Sequence, residues 1–245
     1  MPTPPDRPPI PDEVAEGRFT AARSSFSRFV RSGGRDRASL GRAVSHYIST
    51  TSGGAKRAAQ RMGSSRASGA RLVGFLSDVS SRGVGAALRA LNLEGLAGRP
   101  IDEVFLGLAD YICPDGGTID EGIAREAFIE MIADVAESGI TDLDRITAEQ
   151  MQTVFELFAT HAIEARLCND IGMKTITLPA DARDAMLVQE QLQDFIRRGV
   201  SDALAAVRDS FQALTPDRVL GFVDVVYEQA FGILQSLGDM EAERV

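Results

Sequence analysis

The sequence predicts an all-α protein, and three features carry that prediction. Apolar residues recur at three- and four-residue spacings through most of the chain, the period of an amphipathic helix. Thr118–Glu121 and Thr147–Gln150 each have the form of a capping box, in which a threonine hydroxyl and a side chain three residues on satisfy orphan backbone donors. The one stretch that alternates with β-branched residues is Lys174-Thr175-Ile176-Thr177-Leu178, stopped by Pro179, and no partner strand is evident for it. The expected architecture is therefore a multi-helix domain with one short extended segment near 174–178.

Residues 1–16 hold six of the ten prolines, spacing that forbids a helix or an interior strand, so a disordered Pro-rich tail is expected. From Arg18 to Val30 the pattern is helical, with Phe19, Phe26, Phe29 and Val30 on one face. After Ser32-Gly33-Gly34, Asp36 is placed to cap a second helix that turns Leu40, Val44, Tyr47 and Ile48 inward. Residues 55–81 read as one helix-compatible stretch rich in small residues. A glycine there costs about 1 kcal/mol relative to alanine, which predicts close helix-to-helix approach or ordering against a partner.

Pro100 with Asp102 and Glu103 reads as a helix start, its buried stripe formed by Val104, Leu108, Tyr111 and Ile112. Past the turn at Cys113-Pro114-Asp115-Gly116-Gly117, the first capping box opens a helix to about Ser138-Gly139. The second opens a helix to about Cys168, with Met151, Val154, Phe155, Phe158, Ala162 and Leu167 inside. A helix from about Asp181 to Asp209 follows, then a last long one from Thr215-Pro216 through Val219, Phe222, Val223, Val226, Ala230 and Leu234. The organisation is a tail at 1–16, a basic Arg/Ser/Gly-rich helical region at 17–98 and an acidic helical region at 99–245, the last two sharing one core.

Charge divides the chain. Residues 1–100 carry 16 Lys/Arg against 7 Asp/Glu, and residues 101–245 carry 10 against 28, which together give the net charge of −9. Within the basic region, Arg28 to Arg71 form a cassette in which Arg35, Arg37, Arg42, Lys56, Arg57, Arg61, Arg66 and Arg71 stand with one acid, Asp36. Such a patch suits nucleic-acid backbones, an acidic partner protein, or the chain's own acidic half. Tyr47 is the one aromatic residue between Phe29 and Phe75, which disfavours stacking on single strands. Contact with protein is the preferred reading.

No catalytic set is recognisable. The two histidines, His46 and His161, lack metal-ligand spacing, and the paired glycines Gly33-Gly34 and Gly53-Gly54 follow no strand and accompany no phosphate-loop motif. The carboxylates at 115–121 suit a divalent ion, but helix starts and turns call for the same residue types. Cys113 and Cys168 are expected as buried thiols. No window suits a membrane span, and the N-terminus has no secretory h-region, which makes the cytoplasm the default location.

The stretches RFTAARSSFSRFVRSGG and GRAVSHYISTTSGGAKRAAQRMGSSRASGARLVG resemble the QatB family, the B component of Qat anti-phage defence systems. ALNLEGLAGRPIDEVFLGLADYICPDGGTIDEGIARE and GMKTITLP continue the likeness, which covers most of residues 18–240. The resemblance implies a role beside an ATPase, a QueC-like protein and a TatD-like nuclease encoded in the same operon. It implies a non-enzymatic protein without cofactor or metal that binds the QueC-like protein, its N-terminal tail offered for nucleobase attachment. Family tails often open Met-Gly-Thr-Ser, whereas this chain opens Met1-Pro2-Thr3, so no residue is assigned to that attachment. The cassette cations, with Lys174 and Ile176, are the candidate partner contacts, the segment at 174–178 being either a strand offered to a partner's sheet edge or an internal extended connector. A nucleic-acid-binding module using residues 28–71 is the alternative, and a hydrolase using a metal at 115–121 is a third reading.

Overall fold

Helices form wherever the apolar period predicts them, and in the computed structural model they pack around one hydrophobic core. The structure describes residues 17–50, 53–114, 116–172, 176–208 and 214–244. Among these residues the chain builds α1 (Thr20–Arg31), α2 (Arg37–Thr50), α3 (Gly54–Gln60), α4 (Gly63–Arg82), α5 (Val84–Ala90) and α6 (Ile101–Ile112). There follow α7 (Ile119–Glu137), α8 (Ala148–Ile171), α9 (Ala182–Ala206) and α10 (Val219–Glu243), with single 3-10 turns at Glu94–Leu96, Leu143–Arg145 and Pro216–Arg218. No strand occurs among the described residues. The tail expected at 1–16 lies outside them.

Local chemistry sets the helix starts. Asp36 accepts the Ser39 backbone N–H at 2.9 Å and the Ser39 hydroxyl at 2.6 Å, which opens α2 and holds the Asp36 carboxyl below its ordinary range. At α7 the Glu121 N–H donates to Thr118 Oγ1 (3.2 Å) while the Glu121 carboxylate accepts the Thr118 N–H (3.0 Å). Thr147 and Gln150 repeat that reciprocal pair at α8, at 3.2 and 2.9 Å.

The central helices are α8 and α10. From Leu157 to Ile163 every residue of α8 is buried, as a helix enclosed by α7, α9, α4 and α1 requires. The last helix, α10, lies against α2, α3, α4 and α9, and so ties the N-terminal basic region to the acidic one. The crossing of α2 and α10 is made by two glycines. A Cβ added at Gly41 would lie 2.6 Å from the Gly238 carbonyl oxygen, and one at Gly238 would lie 2.6 Å from that of Gly41. Gly69 of α4 sits on the rings of Phe155 and Phe158, where a Cβ would come within 3.2 and 3.3 Å. Gly41 and Gly69 of the basic region thus serve close helix approach, while a Cβ at Gly63 or Gly74 would meet nothing within 4 Å.

Two expectations need correction. The stretch 55–81 is two helices, broken at Arg61–Met62, where Arg61 N–H bonds back to the carbonyls of Arg57 and Ala58 and Met62 N–H to that of Ala59. The break lets Met62 bury its side chain and Arg61 reach Asp170, so tertiary anchoring overrides helix continuity. Tyr111 is 41% exposed rather than in the α6 stripe, while Val104, Leu108 and Ile112 are buried there as expected, since the packed face of α6 leaves the residue before Ile112 outside. Thr177–Pro179 carry no regular structure, and Ile176 is half-buried against the core, the position of an internal connector; Lys174 and Thr175 lie outside the described residues.

Candidate functional site

Six of the eight cassette cations reach across to the other half of the chain. Arg35 pairs with Asp184 of α9 at 2.6 Å. Arg37 approaches Glu241 of α10 at 3.7 Å, and Arg42 donates to the Ala242 carbonyl at 3.3 Å. Arg66 grips Asp224 of α10 through Nε at 2.7 Å and a terminal nitrogen at 2.5 Å. Arg71 donates to the Ile112 carbonyl at the end of α6, at 2.9 Å. That contact satisfies a carbonyl of the kind a helix C-terminus leaves open. Arg61 completes the set at Asp170. Lys56 and Arg57, on α3, are exposed, and Arg57 contacts Gln60 of its own helix at 3.3 Å. The charge division of the sequence is therefore largely joined inside the fold.

Asp170, at the end of α8, is the focus of this joining. Its Oδ2 accepts the Tyr47 hydroxyl at 3.0 Å and Arg61 at 2.9 Å, and Arg166 Nε lies 3.3 Å away. Arg166 also binds Asp120 at the start of α7, while the Arg61 guanidinium stacks 5.7 Å from the centre of the Phe19 ring. Burial, and then the Asp170 carboxylate, push the Tyr47 phenol well above its usual range, so it stays a hydrogen-bond donor.

A second cluster, between α7 and α8, is one that sequence reasoning misses. Glu126, Glu130 and Asp134 recur every four residues along α7, and His161, Glu164 and Cys168 face them from α8. All of them but Asp134 border a cavity of about 170 Å³ that Gln189 of α9 also lines. His161, buried, meets Asp134 through Nε2 at 2.8 Å. Glu164 is half-buried, and no cation pairs with it, Glu126 or Glu130 among the described residues. Burial first, then Glu130, Asp134 and Glu126, push the Glu164 carboxyl up to about 7. Burial, with Glu164 and Glu126, also pushes the Cys168 thiol far up, so it remains protonated. The cluster can hold a proton near neutral pH. The i, i+4, i+8 acids on α7 are the one sequence signal of it, but nothing in the sequence pairs α7 with the His161–Glu164 face.

The carboxylates at 115–121 take structural parts, Asp120 with Arg166 and Glu121 in the capping box, and Asp115 lies outside the described residues. Among the described residues no three His, Cys, Asp or Glu side chains come together as a metal set. Both cysteines are free thiols, and no described helix is long and apolar enough to cross a membrane.

No curated protein and no solved structure matches the chain significantly. The family model of the Qat anti-phage system associated protein QatB matches residues 53–234, from α3 to α10, and the chain therefore belongs to the QatB family and is a component of the Qat anti-phage system.

Proposed function

We propose that the chain is a non-enzymatic partner protein of the Qat system, which binds a QueC-like protein encoded beside it and offers its N-terminal tail for modification. Membership in the family carries this reading. Six of the eight cassette cations act as internal struts, which leaves few of them for a partner. Docking through the cassette would fall on Lys56 and Arg57, with the outer sides of Arg35 and Arg37, whose side chains are 63% and 46% exposed. Contacts with the ATPase and the TatD-like nuclease, and a cytoplasmic location, belong to the same proposal.

Co-expression of the full chain with the QueC-like protein tests it. A complex recovered at low salt, with added mass on the chain by intact mass spectrometry, is the expected result. Clean failure to co-purify at low salt would sink it. The nucleic-acid alternative is weakened, since six of the eight cations it needs are bonded to the chain itself. A mobility shift that fades steeply between low and moderate salt would restore it.

A further inference from the structure

We propose that the outer face of the α6–α7 hairpin is a docking site for a basic amphipathic helix of a partner protein. The two helices run antiparallel, in a register fixed by two pairs. Phe105 meets Phe128 inside, ring centres 6.2 Å apart, and Asp110 meets Arg125 outside at 2.8 Å. In that register Leu106 and Ile129, each one residue past its buried phenylalanine, come side by side on the outer surface. They are 54% and 42% exposed, and exposed Ala133 and Ala136 extend the strip along α7.

Charge says what covers this strip. Residues 101–137 contain ten acids and one base, Arg125, which is already held by Asp110 and the Cys113 carbonyl. Glu103, paired with Arg99 at 3.3 Å, and Asp110, paired with Arg125, line the strip on the α6 side, and Glu126, Glu130 and Glu137 stand exposed along α7 with no cation paired to them among the described residues. An apolar centre flanked by one sign of charge fits a helix with leucine-like residues on one face and lysine or arginine on both shoulders. Nucleic acid and acidic peptides are repelled by the same groups. The site lies on the opposite charge half from the cassette and would take any helix of this chemistry, so it stands or falls separately from binding of the QueC-like protein.

A labelled synthetic helix with leucines on one face and lysines beside them, titrated into the full chain and followed by fluorescence anisotropy, tests this. The same helix with glutamates for lysines is the control. The lysine helix should bind, and its affinity should fall by about tenfold or more with Leu106→Asp and Ile129→Asp together, as expected for residues at the centre of an interface. Met240→Asp, at an exposed apolar residue of α10, should leave it unchanged. Should the paired variant unfold, Glu103→Lys with Glu130→Lys replaces it, with the same loss expected. Unaltered binding in the folded variants, or equal binding of the glutamate helix, overturns the proposal. So does self-association of the wild type that the paired variant abolishes, because the occupant is then a second copy of the chain.

Discussion

Replacing Glu164 by glutamine should stabilise the protein at neutral pH and have almost no effect in acid. In the unfolded chain this carboxyl ionises in the ordinary range near 4.5, whereas in the fold it holds its proton up to about 7. Below about pH 4 both states carry the proton and nothing is lost. As pH rises, the unfolded chain releases the proton first, so stability falls through the window from 4.5 to about 7 and stays low above it. A tenfold change in proton affinity is worth about 1.4 kcal/mol, so the ionised carboxylate costs the fold about 3 kcal/mol. Glutamine keeps the shape and carries no charge, and it removes that cost.

The assay is urea unfolding of wild type and Glu164→Gln at several pH values. Glu126, Glu130 and Asp134 on α7, and His161 and Cys168 on α8, face Glu164 in both proteins, while Gln189 of α9 is neutral. Their own titrations largely cancel in the difference between the two curves. That difference should open from near zero in acid to about 3 kcal/mol at pH 8, a shift in Tm of about 6–12 °C for a chain of this size. A difference that is flat with pH would refute the reasoning, as would a wild type more stable than the variant at pH 8.

Gly41→Ala should destabilise by about 2 kcal/mol or more despite alanine's better helix propensity, because the new methyl meets the Gly238 carbonyl where neither backbone can yield. Gly122→Ala, on the exposed side of α7 with nothing within 4 Å of the new Cβ, should instead gain up to about 1 kcal/mol in the same denaturation assay. Asp170→Ala leaves Arg61, Arg166 and the Tyr47 hydroxyl without their shared acceptor, and chemical denaturation should show a loss of about 3–5 kcal/mol. Thr147→Ala removes one half of the α8 capping box and should cost about 1 kcal/mol, read as a shift in urea midpoint at constant slope.

What the sequence reveals of this protein is whatever is decided within one helix. The caps at Asp36, Thr118 and Thr147 are local chemistry, and the inward residues of α1, α2, α8 and α10 follow from a period of 3.6, so both are legible in the order of residues alone. The break at Arg61–Met62 is not, because Asp170, the residue that rewards it, lies more than a hundred positions away. The exposure of Tyr111 escapes for the same kind of reason: a stripe that includes both Tyr111 and Ile112 is wider than the face the neighbouring helices cover, and the sequence does not say where that face ends. The functional surfaces are the extreme case. Charge counts show that the two halves differ in sign, and the simplest reading of an arginine-rich cassette is a surface for something else. Packing α10 against α2 and α4 ties three of those arginines to Glu241, Ala242 and Asp224, and the end of α8 takes Arg61 through Asp170. The basic half is thereby largely used up in holding the fold together. The acidic half is larger than the arginines can neutralise, and its surplus gathers on α6 and α7, around an apolar strip and a carboxylate that holds its proton to about neutral pH. The charge that the fold leaves uncompensated is thus acidic, whereas most of the conspicuous cationic cluster is bonded within the chain itself.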